Sequence, residues 1–326
     1  MLRKSTTMRA AVLEAPGRIG IHRVKMPEPA EDGVRVRVRL EGCGVCGSNL
    51  PPWEGRPWFK YPLAPGELGH EGWGRVDAVG SKVSRFKVGE RVAMLSYRAY
   101  AEYDTAGEDD LVRLPAALDG QPFPGEPLAC AMNIFQRADI RACQTVAIVG
   151  IGFLGSLLTS LCARANARVI AISRRPFALE IARRCGAAET IPMEDFKFIV
   201  DRVRKLTNDL GCERVIEAVG RQEALDLATE LTCERGRLII AGYHQDGLRQ
   251  VNLQLWNWRG LDVINAHERD KKTYVTGIEN AIQAIATKQW EPFPLYTHQF
   301  SLDQIGNAFD AMQNRPGQFL KALITI

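Results

Sequence analysis

Predicted strands and helices alternate along residues 145–265, and this alternation constrains the fold more than any other feature of the sequence. Strands are predicted at 145–149, 168–173, 190–192, 214–218, 237–241 and 261–265, and helices at 153–164, 177–185, 195–207 and 223–231. The strands are continuous apolar runs, which is typical of strands covered on both faces. The segment therefore predicts a doubly wound parallel sheet with helices on both sides.

The stretch before residue 127 has a different pattern. Residues 34–40 alternate valine with arginine, which predicts a strand with one buried face. Residues 72–80 and 91–95 predict further strands, and glycine and proline recur between them. We predict a small glycine-rich barrel here. Beyond the parallel sheet, helices are predicted at 128–141, 275–287 and 302–312, and a last strand at 320–326.

Length and composition limit the functions open to the chain. Its 326 residues are enough for two domains, and a net charge of +4 gives no warrant for nucleic-acid binding. No apolar run approaches the ~20 residues that span a membrane. The 8 cysteines are scattered, which is typical of reduced thiols. We expect a cytoplasmic protein with a small-molecule substrate and no nucleic-acid or membrane partner.

The turn between the first strand and helix of the parallel sheet has the spacing Gly-x-Gly-x-x-Gly. Gly150 permits the tight turn, Gly152 lets backbone approach a pyrophosphate, and Gly155 allows close packing of helix on strand. The helix that follows, with Phe153 and Leu154 in its first turn, presents free N–H groups to phosphates. A glycine-rich turn that binds nothing is the alternative, and the flanking strand and helix favour dinucleotide binding.

The end of the next strand indicates which dinucleotide is preferred. An NAD-specific site places Asp or Glu there, whereas this chain has Ser173, Arg174 and Arg175. A hydroxyl beside guanidinium groups attracts a 2′-phosphate that a carboxylate would repel. The sequence favours NADP over NAD. The alternative is that both arginines are solvent-facing charges at a helix start.

Two short segments in the first part of the chain carry a family resemblance. They are Gly42-Cys43-Gly44-Val45-Cys46-Gly47-Ser48-Asn49 and Gly66-Glu67-Leu68-Gly69-His70-Glu71-Gly72. With Gly80 and the run 88–92, they resemble the zinc-dependent medium-chain dehydrogenase/reductase family, from Met8 to Ile326. The resemblance implies an α/β fold with a GroES-like β-barrel catalytic domain (1–126 together with 271–326). A Rossmann doubly wound parallel-sheet cofactor domain (127–270) would complete it.

The same resemblance implies an alcohol or polyol dehydrogenase with one catalytic zinc. Cys46 and His70 take the place of two ligands, and the segment around Glu126 resembles the polyol-type enzymes, which implies Glu126 as the third ligand. Cys130 is the second choice, and Glu71 is a possible exchange ligand. A catalytic zinc keeps one open position for water or substrate. No cysteine lies between 91 and 126, so no structural zinc is expected.

Further roles are implied only by the resemblance. Ser48 would accept the substrate hydroxyl proton. Asn49 stands where relatives have Asp, and Pro51 where they often have His, so we expect the Asn49 carbonyl to support the ligand histidine and a changed proton route. Additional cofactor contacts are expected at Ala218, Val219, Gly242, Tyr243, Asn265 and Lys321. The edge strand 261–265 pairs across a two-fold axis in many relatives, which implies a homodimer or a homotetramer.

The substrate pocket is less well defined by the sequence. Its candidate side chains are aromatic or polar: Trp53, Trp58, Phe59, Trp73, Tyr97, Asn133, Tyr243 and His244. We expect only some of the aromatic residues to contact substrate and the others to be packing residues. This mixture suits a polyol or an aromatic alcohol. Two other functions remain open. One is a zinc-free enone or quinone reductase on the same fold, whose members usually lack the Cys and His; the other is a non-catalytic dinucleotide-binding sensor, which needs no open metal position.

Overall fold

The computed structural model describes residues 6–29 and 33–326 of the chain. The chain divides into two compact units: Met1–Ala129 with Asp270–Ile326, and Cys130–Arg269. The first part of the chain contains β1 (Thr7–Ala15), β2 (Arg18–Lys25), β3 (Arg35–Gly44), α1 (Leu50–Trp53), β4 (Gly72–Val79), β5 (Arg91–Met94), β6 (Tyr103–Gly107), β7 (Leu111–Arg113) and α2 (Gly125–Ala138). Among the described residues, no helix is long and apolar enough to cross a membrane.

The parallel sheet lies in the second unit. Its elements are β8 (Thr145–Val149), α3 (Phe153–Arg164), β9 (Arg168–Ser173), α4 (Pro176–Arg184), β10 (Glu189–Pro192), α5 (Phe196–Leu206), β11 (Cys212–Glu217), α6 (Gln222–Leu231), β12 (Thr232–Ile240), α7 (Leu253–Arg259) and β13 (Asp262–Asn265). The strand order is β10-β9-β8-β11-β12-β13, and each neighbouring pair of strands is parallel. Such an order, with β8 next to β11, creates the crevice at which open α/β sheets bind ligands.

The last part of the chain returns to the first unit with α8 (Lys271–Ala286), β14 (His298–Ser301), α9 (Ile305–Asn314) and β15 (Ala322–Thr325). These strands complete a seven-stranded sheet of order β14-β15-β3-β4-β5-β7, with β6 also paired to β3. Val36, Val38 and Leu40 on β3 are buried in its core, as the alternating pattern predicts. Arg37 is an exception, because it is buried and pairs with Asp77. The predicted fold class is confirmed.

Candidate metal centre and dinucleotide site

Cys46, His70 and Glu71 come together where two neighbouring strands of the first unit meet. β3 ends just before Cys46, and β4 begins just after Glu71; the two strands are antiparallel neighbours, with Cys43 opposite Gly72. One ligand atom from each of Cys46, His70 and Glu71 lies within 4.8 Å of the other two. Sequence-distant residues therefore form one cluster because the sheet register aligns the end of one strand with the start of the next.

The donor set of this cluster fits zinc. Thiolate sulfur, imidazole nitrogen and carboxylate oxygen are the usual zinc donors, with bonds of about 2.0–2.3 Å. Ligand atoms of one zinc therefore lie about 3–4 Å apart, so a group within 4.8 Å needs only a small contraction. A mixed sulfur, nitrogen and oxygen set is unsuited to magnesium or calcium, which prefer oxygen.

In the metal-free protein, the neighbours of His70 favour its protonated form. Burial lowers the pKa of His70, but the charges of Cys46, Glu126 and Glu71 and a hydrogen bond to Cys46 outweigh burial and raise the pKa to about 10. The neighbouring acidic side chains thus favour the protonated form of the imidazole. A divalent cation would replace the imidazole proton as the counter-charge of this site.

Glu71 is fully buried and forms an ion pair with Lys321, which is also buried. Lys321 Nζ lies 2.7 Å from Glu71 Oε1 and 2.6 Å from Oε2, and it donates to the Val45 carbonyl at 3.0 Å. A Cβ added at Gly44 would meet Glu71 Oε2 at 1.7 Å, so Gly44 leaves the room that this carboxylate occupies. Lys321, predicted as a pyrophosphate contact, instead lies against the metal-site carboxylate.

Asn49 is almost fully buried, but it does not support His70 in the expected way. His70 Nδ1 bonds the Leu68 carbonyl at 2.9 Å, and Asn49 Nδ2 donates to the same carbonyl at 3.1 Å. The expected direct bond from the Asn49 carbonyl to the ligand histidine is therefore wrong. The Asn49 Oδ1 accepts from the Cys46 backbone N–H and from the Tyr100 hydroxyl instead.

The remaining predicted residues of the metal site lie around this cluster. Glu126 is in the first turn of α2 and is not a member of the 4.8 Å group, although its charge raises the pKa of both His70 and Lys321. Cys130 is one turn further along α2 and is not a member either. Ser48 is half-buried in the short 3-10 turn Gly47–Asn49.

The aromatic candidates separate into core and surface side chains. Trp53 and Trp73 are buried, and Trp53 packs on Phe309 with ring centroids 5.2 Å apart. These two tryptophans are therefore packing residues of the core. Tyr97 is 73% exposed, and its ring centroid lies 6.3 Å from that of His70. Tyr97 is thus the aromatic candidate that the structure places against a predicted ligand.

The glycine turn of the second unit has the geometry that phosphate binding requires. Gly150 has φ +100°, and a Cβ there would meet Val219 at 2.3 Å; a Cβ at Gly155 would meet the Gly150 carbonyl at 2.1 Å. No described atom lies within 4 Å of a Cβ built on Gly152, so this backbone is open to approach. α3 starts at Phe153, with Leu154 in its first turn, so its free N–H groups begin at this turn.

The three residues after the second strand of the parallel sheet differ in exposure. Ser173 is buried at the end of β9, Arg174 is exposed and Arg175 is half-buried. Arg175 donates weakly to the Ile151 carbonyl at 3.5 Å, within the glycine turn. The guanidinium of Arg174 is thus open to solvent beside the turn.

A buried carboxylate, Glu217 at the end of β11, organises the loops after β11 and β12. Glu217 Oε1 accepts from the N–H groups of Val219 and Gly220, both at 2.7 Å. Glu217 Oε2 lies 2.9 Å from His244 Nε2, and Arg249 donates to His244 Nδ1 at 2.8 Å. Both ring nitrogens of His244 are therefore engaged within the protein.

The other predicted cofactor contacts lie in or beside these loops. Ala218 donates to the Val149 carbonyl, and Gly242 donates to the Glu217 carbonyl at 2.7 Å. Tyr243 is 48% exposed, with its ring centroid 5.5 Å from that of His267. Asn265 ends β13 and accepts from the His267 N–H at 3.1 Å.

Comparison with known proteins agrees with both units. Residues 32–131 match the model of the alcohol dehydrogenase GroES-like domain, and residues 154–283 match that of the zinc-binding dehydrogenase. A quinone oxidoreductase of Pseudomonas aeruginosa is 30% identical over 240 residues, which cover 72% of this chain and 73% of that protein. The chain belongs to the zinc-type medium-chain dehydrogenase family.

Other members of this medium-chain dehydrogenase family match along nearly the full length. A sorbitol dehydrogenase of Bacillus subtilis is 26% identical over 349 residues, covering 97% of each chain. Among solved structures, a protein of Sinorhizobium meliloti assigned as a zinc-binding dehydrogenase, with NADP bound, has a TM-score of 0.83 and 25% identity. That alignment covers 99% of this chain and 100% of the other.

Proposed function

We propose that this protein is a zinc-dependent, NADP-preferring dehydrogenase that transfers a hydride between an alcohol or polyol carbon and the nicotinamide. The carrying observation is that ligand atoms of Cys46 and His70 lie within 4.8 Å of each other beside the carboxylate of Glu71, because a thiolate and an imidazole at this spacing fit one zinc. The sorbitol dehydrogenase relatives support a polyol substrate. Zinc, when bound, supplies a Lewis acid that polarises the substrate oxygen and favours its deprotonation.

We further propose that Glu126, rather than Glu71, is the third permanent ligand. Both oxygens of Glu71 are already within 2.7 Å of the buried Lys321 ammonium. If Glu71 moved to the metal, Lys321 would be left buried without its counter-charge, which costs several kcal/mol (about 3–5). The negative charge of Glu126 raises the pKa of His70, which supports a place for Glu126 beside the ligand histidine.

The protein residues then have separate tasks. Cys46, His70 and Glu126 hold the metal, and Ser48 accepts the proton of the substrate hydroxyl and passes it to the cofactor ribose or to water. Tyr97 covers one side of His70 with an exposed ring, which suits contact with the C–H groups of a polyol. With no structural zinc site proposed, one metal per subunit is expected.

The preference for NADP is supported by the exposed Arg174 beside the buried Ser173. An arginine can form two charge-assisted bonds with a 2′-phosphate, and no carboxylate stands at this strand end to repel it. The Sinorhizobium meliloti structure with NADP bound supports the same choice.

We also propose a homodimer or homotetramer. β13 is an edge strand of its sheet, and α7 beside it exposes Leu253 (57%) and Trp258 (83%). An unpaired strand edge with exposed apolar side chains is suited to pairing with a second copy. Sedimentation velocity at several protein concentrations measures the mass of the assembly, and a monomer at all of them would contradict the proposal.

One experiment tests the main proposal. Metal-analysed protein is assayed against alcohols, sugars and polyols with NADP and NAD, following nicotinamide absorbance. We expect one zinc per chain, turnover of at least one alcohol, and loss of both in Cys46→Ser. The matched control is Cys143→Ser, which changes an exposed cysteine of the other unit and should keep both.

The second candidate is a zinc-free quinone or enone reductase, which the Pseudomonas aeruginosa relative favours. It predicts no stoichiometric metal, activity that survives chelation, and quinone reduction by the Cys46→Ser variant. The proximity of Cys46 and His70 argues against it, because a thiol and an imidazole at metal-ligand spacing are not needed in a metal-free reductase.

A further inference from the structure

We propose that a phosphate group binds to three arginines, Arg141, Arg214 and Arg237, beside one face of the parallel sheet. The carboxylate of Asp139 lies among their guanidinium groups, and a bound phosphate would take its place. The ligand class is a phosphate dianion, either free or carried by a small phosphate ester. This site is additional to the dehydrogenase function proposed above and does not depend on it.

The register of the sheet places two of these arginines side by side. Arg214 on β11 is directly opposite Arg237 on β12, so both side chains point to the same face of the sheet. Like charges directly opposite each other on neighbouring strands are destabilising. The side chains of Arg214 and Arg237 are only 12% and 24% exposed, so water screens their repulsion incompletely. Burial and the charge of Arg237 accordingly lower the pKa of Arg214. This pair of guanidinium groups therefore favours an anion beside it.

The carboxylates near the two arginines compensate their charge incompletely. Asp139 Oδ2 lies 3.1 Å from Arg141 Nη2, but it lies 3.6 Å from Arg214 Nη2 and 3.9 Å from Arg237 Nη1. Asp262, opposite Arg237 on β13, approaches Arg237 Nη2 only to 3.5 Å. Only the contact of Arg141 has the length of a good hydrogen bond. Two carboxylates thus serve three guanidinium groups, and a phosphate dianion would supply the missing charge and the missing acceptors.

Arg237 has hydrogen-bonding capacity that its present contacts do not use. Its Nε is buried, and within the described part of the chain no acceptor bonds to it. Its Nη1 reaches the Arg137 carbonyl only at 3.4 Å. Arg214 is held more firmly, because it donates to the carbonyls of Ala138 at 2.9 Å and Glu213 at 3.0 Å. A guanidinium has five N–H donors that match phosphate oxygens, so a small rotation of the loosely held Arg237 suffices to bring donors to an anion.

This phosphate site is separate from the dinucleotide turn of the same sheet. Gly150 follows the carboxyl end of β8, whereas Arg214 is opposite Val146, near the amino end of β8. The strand from Val146 to Val149 spans about 10 Å. Open α/β sheets bind their cofactors outside the carboxyl ends of the strands. A phosphate held by Arg214 and Arg237 is therefore not one of the cofactor contacts proposed above.

Asp139→Asn is the sharpest change, because it removes the carboxylate that would compete with a phosphate and keeps its shape. Asp139 has φ +50°, a conformation that asparagine also adopts, so the backbone tolerates the replacement. Arg237→Gln removes one of the two side-by-side guanidinium groups. The matched control is Arg184→Gln, which removes an exposed arginine of the same unit that pairs with Glu180.

Isothermal titration calorimetry with inorganic phosphate measures the affinity of each protein, with the ionic strength held constant by chloride. We expect Arg237→Gln to weaken phosphate binding about 10–100-fold and Arg184→Gln to leave it unchanged. Asp139→Asn should strengthen phosphate binding about tenfold, since the competing negative charge is gone. Glycerol phosphate is titrated in parallel. Tighter binding of glycerol phosphate would identify an ester as the ligand, and tighter binding of inorganic phosphate would identify the free anion.

Three results would overturn the proposal. The first is no measurable binding at millimolar phosphate, and the second is equal affinity in the wild type, Arg237→Gln and Asp139→Asn. The third is binding that is lost in Arg174→Ala but kept in Arg237→Gln, which would place the phosphate at the dinucleotide turn. If Arg237→Gln does not fold, Arg141→Gln takes its place with the same expectation. A protein that binds phosphate here but shows no dehydrogenase activity would contradict only the function proposed above.

Discussion

The carboxylate of Glu71 and the ammonium of Lys321 form a buried ion pair, although 250 residues separate them in the chain. β15, which follows Lys321, pairs with β3 next to the metal cluster, and this pairing brings the C-terminal lysine to the site. Burial lowers the pKa of Lys321, but the charges of Glu71, Cys46 and Glu126 outweigh it and hold the pKa above its usual value.

Removing either member of this pair should destabilise the fold. Lys321→Met leaves a buried carboxylate and Glu71→Gln a buried ammonium, so each variant should lose about 3–5 kcal/mol of unfolding free energy. The double variant leaves no uncompensated charge and should lose less than the sum of the two. Denaturant unfolding of the metal-free proteins measures this cycle. Additive losses would show that the two charges do not interact.

Glu126→Gln and Glu71→Gln distinguish the two possible third ligands. A residue that only supports a metal ligand changes metal affinity by about 10–100-fold. If Glu126 is the permanent ligand, Glu126→Gln should therefore weaken zinc binding by more than about 100-fold. Glu71→Gln should keep zinc nearer to wild-type affinity while its melting temperature falls. The reverse order of affinities would make Glu71 the ligand and contradict the role given to Glu126.

Gly44→Ala should disrupt the metal site, because the added methyl group would occupy the space of the Glu71 carboxylate. A Cβ at this position would lie 1.7 Å from Glu71 Oε2, so either the carboxylate or the end of β3 must move. We expect a loss of about 3 kcal/mol of stability, and weaker zinc binding as well. Gly47→Ala is the matched control, since no described atom lies within 4 Å of its added Cβ. Equal stability of the two variants would contradict this packing.

The parallel sheet could be predicted closely because its signals are local. α3 and β9 have the predicted bounds, 153–164 and 168–173. α2 begins at Gly125, three residues before the predicted start, since Pro127 lies in the first helical turn, where no backbone donor is needed. β2, β6, β7 and β14 lack a strong alternating pattern and were not predicted.

The candidate site was less predictable than the parallel sheet, because its contacts join residues that are distant in sequence. The cysteine, histidine and glutamate motifs indicated a metal centre, but the partner of Glu71 lies on a distant strand. Trp53 and Trp73 could not be assigned to the core, since the side-chain direction depends on strand register and helix packing. The hydrogen bond of His244 to Glu217 could not be predicted, because it depends on the parallel order of β11 and β12.

Arg174→Ala should change the choice of cofactor. Loss of a charge-assisted bond to the 2′-phosphate should raise KM for NADP about 10–100-fold and leave KM for NAD near the wild-type value. Steady-state assays with both cofactors measure the ratio. Arg184→Ala is the control, because it removes an exposed arginine of α4 that pairs with Glu180. Equal effects of Arg174→Ala on both cofactors would refute the assignment.

The raised pKa of His70 predicts how the metal-free protein responds to pH. A folded-state pKa of about 10, above the usual value of about 6.5, means that the protonated imidazole stabilises the fold. This stabilisation is fully present below about pH 6.5 and is lost as the pH rises through about 10. Zinc must displace that proton, so zinc affinity should rise by up to about tenfold per pH unit over the same range.

Thermal unfolding of metal-free protein between about pH 6 and pH 11 measures the first effect, and chelator competition over the same range measures the second. His70→Asn is the control, because it removes the titrating ring. Its stability should fall less than that of the wild type as the pH rises, and its residual zinc affinity should depend less on pH. A wild-type affinity that is flat from pH 6 to 9 would mean that zinc displaces no proton from His70, which would contradict the charge balance of the cluster.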